Sequence, residues 1–220
     1  MTELTLAEQT RMVQALRGKL AAGQGGAPLL IETHISFVLV GAAHAYKIKK
    51  DVKLPYLDFS TLVKRREVIA REFEINKAIA PGLYLGVIEV CGEPVLKMNR
   101  FDNAAMLARQ VAMGHMDRHR ANELAAMAAA AHTVALQREV PGAEIMAGLG
   151  AQLSGAFTSS PDIFAPAETL EFHALYEEAL RRLKPLLNCR TQQGLVRRCH
   201  GDMHCGNIVI IEGRPVLFDA

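Results

Sequence analysis

The chain has 220 residues, half of them apolar, a net charge of +2 and no tryptophan. That apolar content suffices for one sizeable core or two small lobes. The small charge and sparse aromatics argue against nucleic acid as a partner, and no apolar run approaches the roughly 20 residues of a membrane helix. The cysteines at 91, 189, 199 and 205 lack paired disulfide spacing and no signal peptide precedes them, so a reducing, cytoplasmic location is expected.

Taken in order, residues 7–21 place Met12, Val13, Leu16 and Leu20 at helical spacing, and the stretch 23–28 breaks that helix. Residues 29–40 read as two strand segments around a polar kink, 41–44 as a turn, and 45–49 as a third, alternating strand. A helix is expected over 60–80. On it Leu62, Val68, Ile69, Phe73, Ile75 and Ile79 share one broad face, with Glu72 near its middle and Glu74 opposite. A carboxylate inside an apolar stripe is costly unless paired. The strand lysine Lys47 is the expected partner; Arg65 on the same helix is the rival, and Lys49, on the same strand face as Lys47, is the second lysine. The basic clusters at 49–53 and 64–66 read as solvated faces that add attraction for an anionic ligand.

Residues 85–89 and 94–98 read as strands around Cys91-Gly92-Glu93. The chain then turns helical. Residues 104–113 and 121–138 are alanine-rich, the second with a stripe of Leu124, Met127, Ala128, Ala131 and Ala135 bordered by His132. The Ser, Gly and Pro content of 150–165 reads as a loop, with a short helix within it as the alternative. Pro166 can open a helix running to about Leu187, whose Glu168, Glu171, Glu177 and Glu178 read as a solvated face.

The last twenty residues carry the chemistry. A polar loop, Cys199 to Asn207, leads into the β-branched run Ile208-Val209-Ile210-Ile211. A turn at Glu212-Gly213-Arg214 follows, then a strand ending Leu217-Phe218-Asp219. The hairpin brings Asn207 near Asp219, with Asp202 just before. Two carboxylates and an amide so gathered are hard oxygen ligands that suit Mg²⁺. An Asp, an Asn five residues later and an apolar hairpin ending in Asp form the order of a phosphoryl-transfer site. There the first carboxylate takes the proton of the attacking hydroxyl and the other two groups hold metal. Ala45-Tyr46-Lys47 matches the A-x-K strand of the same chemistry, which makes Lys47, oriented by Glu72, the candidate for the nucleotide phosphates. The rival is zinc: Cys199, His200, His204 and Cys205 crowd together, but no second ligand pair exists elsewhere.

The string His200-Gly201-Asp202-Met203-His204-Cys205-Gly206-Asn207, with Leu217-Phe218-Asp219, resembles the aminoglycoside phosphotransferase and choline kinase branch of the protein-kinase-like fold. Residues 46–50, 56–62 and 80–87 look like a bacterial subgroup of that family, in which a P-loop ATPase domain often follows; the resemblance spans most of residues 30–220. It implies an α+β, two-lobed protein-kinase-like fold. An N-terminal lobe of sheet plus the Glu72 helix would cover residues 1–101, and a helical C-terminal lobe 102–220. The second lobe is expected to be truncated, because family members continue past this strand, and an uncovered lobe would favour dimerisation.

The resemblance further implies Asp202 as catalytic base, Asn207 and Asp219 as Mg²⁺ ligands, and Lys47 with Glu72 at the phosphates of ATP. His204 would be a positioning residue. The family's glycine-rich turn is missing; Thr33 and Ser36 stand in that region and are candidates for phosphate. Asn99 and Phe101 fall at the interlobe hinge and are candidates for adenine. The expected activity is ATP-dependent phosphoryl transfer to the hydroxyl of a small molecule. The alternatives are a nucleotide-binding kinase-like regulatory module without transfer and a zinc-dependent hydrolase.

Overall fold

The computed structural model describes residues 3–24, 26–54 and 56–220 of a mixed α/β chain. The chain divides into two compact units: residues up to 131 together with 200–220, and residues 132–199. These cuts differ from the lobes 1–101 and 102–220 expected from the sequence.

In the first unit, helix α1 (Leu6–Gln24) starts at a reciprocal cap. The Glu8 carboxylate accepts from the Thr5 backbone N–H at 2.8 Å, and the Glu8 N–H donates to the Thr5 hydroxyl at 3.4 Å. Strands β1 (Leu29–Glu32), β2 (Ser36–Val40) and β3 (His44–Lys49) follow as expected, and a two-residue pair, β4 (Lys53–Leu54) with β5 (Leu57–Asp58), precedes helix α2 (Leu62–Ile79). The Thr61 hydroxyl caps α2 through the Lys64 N–H. Strands β6 (Tyr84–Val90) and β7 (Glu93–Asn99) complete an antiparallel five-stranded sheet in the order β1-β2-β3-β7-β6. Cys91 and Gly92 both take positive φ, which a two-residue turn twisted to match its strands requires.

Strand alternation gives this sheet two different faces. On one, Phe37, Leu39, Tyr46, Ile48 and Val95 pack with Met12 and Val13 of α1 into a closed apolar core. On the other, Ile69 of α2 packs with Leu83, Tyr84 and Leu96. The buried positions of α2 are Leu62, Arg65, Ile69, Glu72 and Asn76, so three of five are polar. Apolar periodicity located that face but not its chemistry. The basic run at 49–53 is also not a solvated face at its start, because Lys49 and Lys50 are both buried.

Beyond β7, a 3₁₀ turn (Asn103–Ala105), α3 (Leu107–Ala112) and α4 (Arg118–Val134) replace the expected helices 104–113 and 121–138 with shifted ends. Strands β8 (Ile208–Ile211) and β9 (Arg214–Leu217) form the expected hairpin, with Glu212 and Gly213 at positive φ in its turn. Ile208 and Leu217 pack with Leu107 into a third core, against which Leu124, Met127 and Ala131 lie.

In the second unit, the loop expected over 150–165 is helical for half its length. Helix α5 runs Gly142–Thr158 and is followed by α6 (Pro166–Gln192). Of the two glycines that suggested a loop, Gly150 serves packing: a Cβ there would lie 2.2 Å from the Tyr176 ring, whereas one on Gly155 would meet open space. Tertiary contact overrides helix propensity at Gly150. The Tyr176 hydroxyl donates to the Met146 carbonyl at 2.5 Å, and the Phe157 ring packs at a tilt on Phe164 and edge-on to Phe172, with centroids 4.4 and 5.0 Å apart. Backbone bonds between Arg138 and Val196 and between Arg198 and Leu136 close the unit where the chain enters and leaves it. No helix among the described residues is long and apolar enough to cross a membrane.

Candidate functional site

Strand β3 lies at the middle of the sheet. Its odd-numbered side chains leave the α1 core and turn towards α2. Lys47 Nζ lies 2.7 Å from Glu72 Oε1, and Lys49 Nζ lies 2.7 Å from Glu72 Oε2. One carboxylate therefore serves both lysines that the sequence offered as alternatives. Arg65, the rival partner, is engaged elsewhere: its guanidinium makes a two-pronged contact with Glu93 at 2.9 and 2.7 Å and donates to the Phe59 carbonyl.

Lys47 also donates to Asp219 Oδ1. The sheet lysine, the helix glutamate and the carboxylate at the end of β9 are thus one connected group. Burial alone would lower the lysine pKa, but Glu72 and Asp219 together more than offset it and hold Lys47 well above the usual lysine range. For Asp219 burial pushes up and Lys47 pulls down, and the net shift is down. Lys49 is lowered, by burial and then by the like charge of Lys47.

Lys47 and Asp219 face a cavity of about 410 Å³, whose wall also includes Ser36, Tyr84, Asn207 and Phe218. Its lining is mixed: Val38, Val40, Ala45 and Met98 supply an apolar wall beside the charged end. Such a division suits a ligand with one flat apolar part and one anionic part. Asn207 is buried in the 3₁₀ turn just before β8. Its Nδ2 donates to the Asp202 carbonyl at 3.0 Å and to Asp202 Oδ2 at 3.1 Å, which leaves the amide oxygen as the ligand atom. Asp202 itself is exposed, its side chain 72% accessible, with His204 Nε2 3.5 Å away.

The loop is held by its histidines. His200 Nε2 donates to the Phe218 carbonyl at 2.8 Å and its Nδ1 accepts from the Asp202 N–H at 3.2 Å, partners that select the Nε2–H tautomer. Gly201 between them takes φ +85°, which favours glycine. His204 Nδ1 accepts from the Gly206 N–H at 3.0 Å. Both ring nitrogens of His200 are thus spent inside the loop and drop out of the zinc arrangement, while His204 keeps Nε2. Among the described residues no group of three or more His, Cys, Asp or Glu gathers to hold a metal ion. The Mg²⁺ expectation rests on a different donor set, one amide and one carboxylate oxygen on one cavity wall, and those hard donors fit that ion.

The remaining candidates divide. The Thr33 hydroxyl is taken up by its own turn, accepting from the Ser36 N–H at 3.0 Å, and Lys50 ties that turn down through Glu32 and the Thr33 carbonyl. Ser36 is buried on the cavity wall, and its hydroxyl has no hydrogen-bond partner among the described residues. Asn99 lines the cavity, but its amide is turned to the Gly82 carbonyl at 2.8 Å. Phe101 lines it too and packs on Phe218 with centroids 5.1 Å apart.

Sequence reasoning missed Tyr84. Its ring is fully buried on the cavity wall and its hydroxyl accepts from the Asp219 N–H at 2.9 Å. Burial raises its pKa far above the usual tyrosine value. The strand expected from the sequence began at residue 85, so Tyr84, the first residue of β6, lay outside it.

No family model matches the chain. Three curated mycobacterial proteins are similar to it: "Uncharacterized protein Rv2004c" and "Uncharacterized protein MT2060" of Mycobacterium tuberculosis, and "Uncharacterized protein Mb2027c" of Mycobacterium bovis. Each is 25% identical over 199 residues, which cover 86% of this chain and 40% of the relative. The chain thus spans two fifths of the length of these relatives.

Proposed function

We propose that this chain is an ATP-dependent small-molecule kinase of the two-lobed protein-kinase-like fold, similar to aminoglycoside phosphotransferases. One observation carries the reading: a buried lysine, Lys47, joined to both Glu72 and Asp219 on the wall of a cavity that also presents Asn207. A structural ion pair needs neither a third charged partner nor a cavity.

In this reading the apolar wall takes the base of the nucleotide and Lys47 meets its phosphates. Glu72 keeps Lys47 charged and aimed. Asn207 and Asp219 would hold Mg²⁺, which neutralises the charge of the phosphates and of the leaving group. Asp202, exposed and one hydrogen bond from Asn207, takes the proton of the acceptor hydroxyl. The acceptor oxygen bonds the γ-phosphorus as the bond to the bridging oxygen breaks, and ADP departs. Most of the acceleration would come from positioning and fixed charge.

The test is ATP consumption by the purified chain with Mg²⁺ against a panel of amino-alcohols, sugars and aminoglycosides. Turnover with one acceptor, abolished in Asp202→Ala, supports the reading. Nucleotide binding without turnover on any acceptor supports the regulatory-module alternative, which the fully engaged Thr33 hydroxyl favours.

A further inference from the structure

Among the described residues of the candidate site, Asp219 is the one non-glycine residue with a left-handed backbone, φ +67°. For a residue with a Cβ this is a costly conformation, and it persists only where the surroundings over-determine it. Three consecutive amides show what determines it. The Phe218 N–H donates to the Asn207 carbonyl at 3.0 Å. The Asp219 N–H donates to the Tyr84 hydroxyl at 2.9 Å, and the Ala220 N–H to Asn76 Oδ1 at 3.1 Å. Tyr84 and Asn76 are both fully buried. Apolar side chains at these positions would fill the space but leave two amides unpaired, a cost the polar residues remove.

The second acceptor lies one turn from Glu72 on α2, and the Asn76 amide donates to the Glu72 carbonyl at 2.8 Å. A closed ring results. Glu72 holds Lys47, Lys47 holds the Asp219 carboxylate, the next amide binds Asn76, and Asn76 returns to Glu72. Tyr84 reaches the ring from β6, where the pairing register shifts between Tyr84 and Gly86, an irregularity of the kind that re-aims side chains.

We propose that Tyr84 and Asn76 are positioning residues: together they latch the backbone at 219–220, aim the Asp219 carboxylate, and couple it to the helix that carries Glu72. The role assigned to that carboxylate rests on the phosphotransferase reading. The latch itself does not.

The experiment uses the full chain as wild type, Tyr84→Phe and Asn76→Leu, with two readouts. The first is hydrogen exchange of the 219 and 220 amides without ligand. The second is the ratio of affinities for a non-hydrolysable ATP analogue with and without Mg²⁺. Tyr84→Phe keeps the ring and is expected to speed exchange at 219 about tenfold, one hydrogen bond's worth, and to lower the affinity ratio by a similar factor. Asn76→Leu is expected to do the same at 220. Unchanged exchange in both variants overturns the latch. Faster exchange with an unchanged affinity ratio overturns the positioning role. A wild type with no Mg²⁺-dependent nucleotide binding removes the phosphotransferase reading and the positioning role with it, while the exchange data still decide the latch.

Discussion

The two units of this chain are built on different terms. In the first, Leu39, Ile48, Ile69, Tyr84, Leu96 and Val209 are fully buried, and so are Arg65, Asn76 and Gln9. In the second, the large apolar side chains stay in contact with solvent, Ile163 at 76% and Leu170 at 71% exposure, and only small groups such as Ala143 and Thr169 are buried. The first unit has enough closed core to carry buried charge, and every group of the lysine–carboxylate cluster lies within it. The second is held by an aromatic cluster, a close glycine contact and a backbone clasp. Buried ions need surroundings that stay dry and rigid, and only one of the two units supplies them.

The contrast can be broken most severely at Asp202. It is exposed, so Asp202→Ala should leave stability within about 0.5 kcal/mol. On the proposed kinase reading, in which it accepts the hydroxyl proton, the same change should lower turnover by roughly 10²–10⁴. Steady-state rates and thermal melts on one preparation check both halves. Next comes Glu72→Ala, which leaves Lys49 buried without its carboxylate and Lys47 with Asp219 alone. Denaturant titration should show a loss of about 3–5 kcal/mol. Leu39→Ala against Leu175→Ala sharpens the contrast itself: about 2–5 kcal/mol for the first and within about 0.5 kcal/mol for the second. Gly150→Ala should cost about 1–3 kcal/mol by forcing the Tyr176 ring aside, with the loss seen in exchange protection of α5 and α6.

The smallest effect is on pH. The folded state holds the Asp219 carboxyl below its ordinary value. Its contribution is therefore present above about pH 4 and is lost as the pH falls through the lowered value. Lys47 is shifted upward, so its contribution is intact below about pH 10 and is lost only at more alkaline pH. Melting temperature should be flat between those limits with respect to this pair. Asp219→Asn should reduce the acid-side loss by an amount on the order of 1 kcal/mol, since the carboxylate is part-exposed.

What the sequence disclosed follows the same division. Apolar and β-branched runs bounded by turn residues located β2, β3, β7 and the β8–β9 hairpin. The His200-to-Asp219 string marked Asn207 and Asp219, which share a cavity wall, and Asp202, which lies off that wall and is bonded to Asn207. The charge cluster was half legible. Glu72 in an apolar stripe called for a lysine, but spacing cannot tell that one carboxylate serves both Lys47 and Lys49. Nor can it tell that Arg65, on the same face, is claimed by Glu93, which arrives from β7. Tyr84 and Asn76 were not readable, because their partners are backbone amides more than a hundred residues away in sequence. Helix α5 was missed because glycine suggests a loop wherever its packing partner is unknown, and Tyr176 lies a helix away.

The central claim is that Lys47, Asn207 and Asp219 line one nucleotide site. Calorimetric titration of a non-hydrolysable ATP analogue, with and without Mg²⁺, into wild type and Lys47→Met tests it most directly. The account predicts Mg²⁺-dependent binding in the wild type and its loss in the variant. Absence of binding to the folded wild type, or equal binding by both proteins, would contradict it.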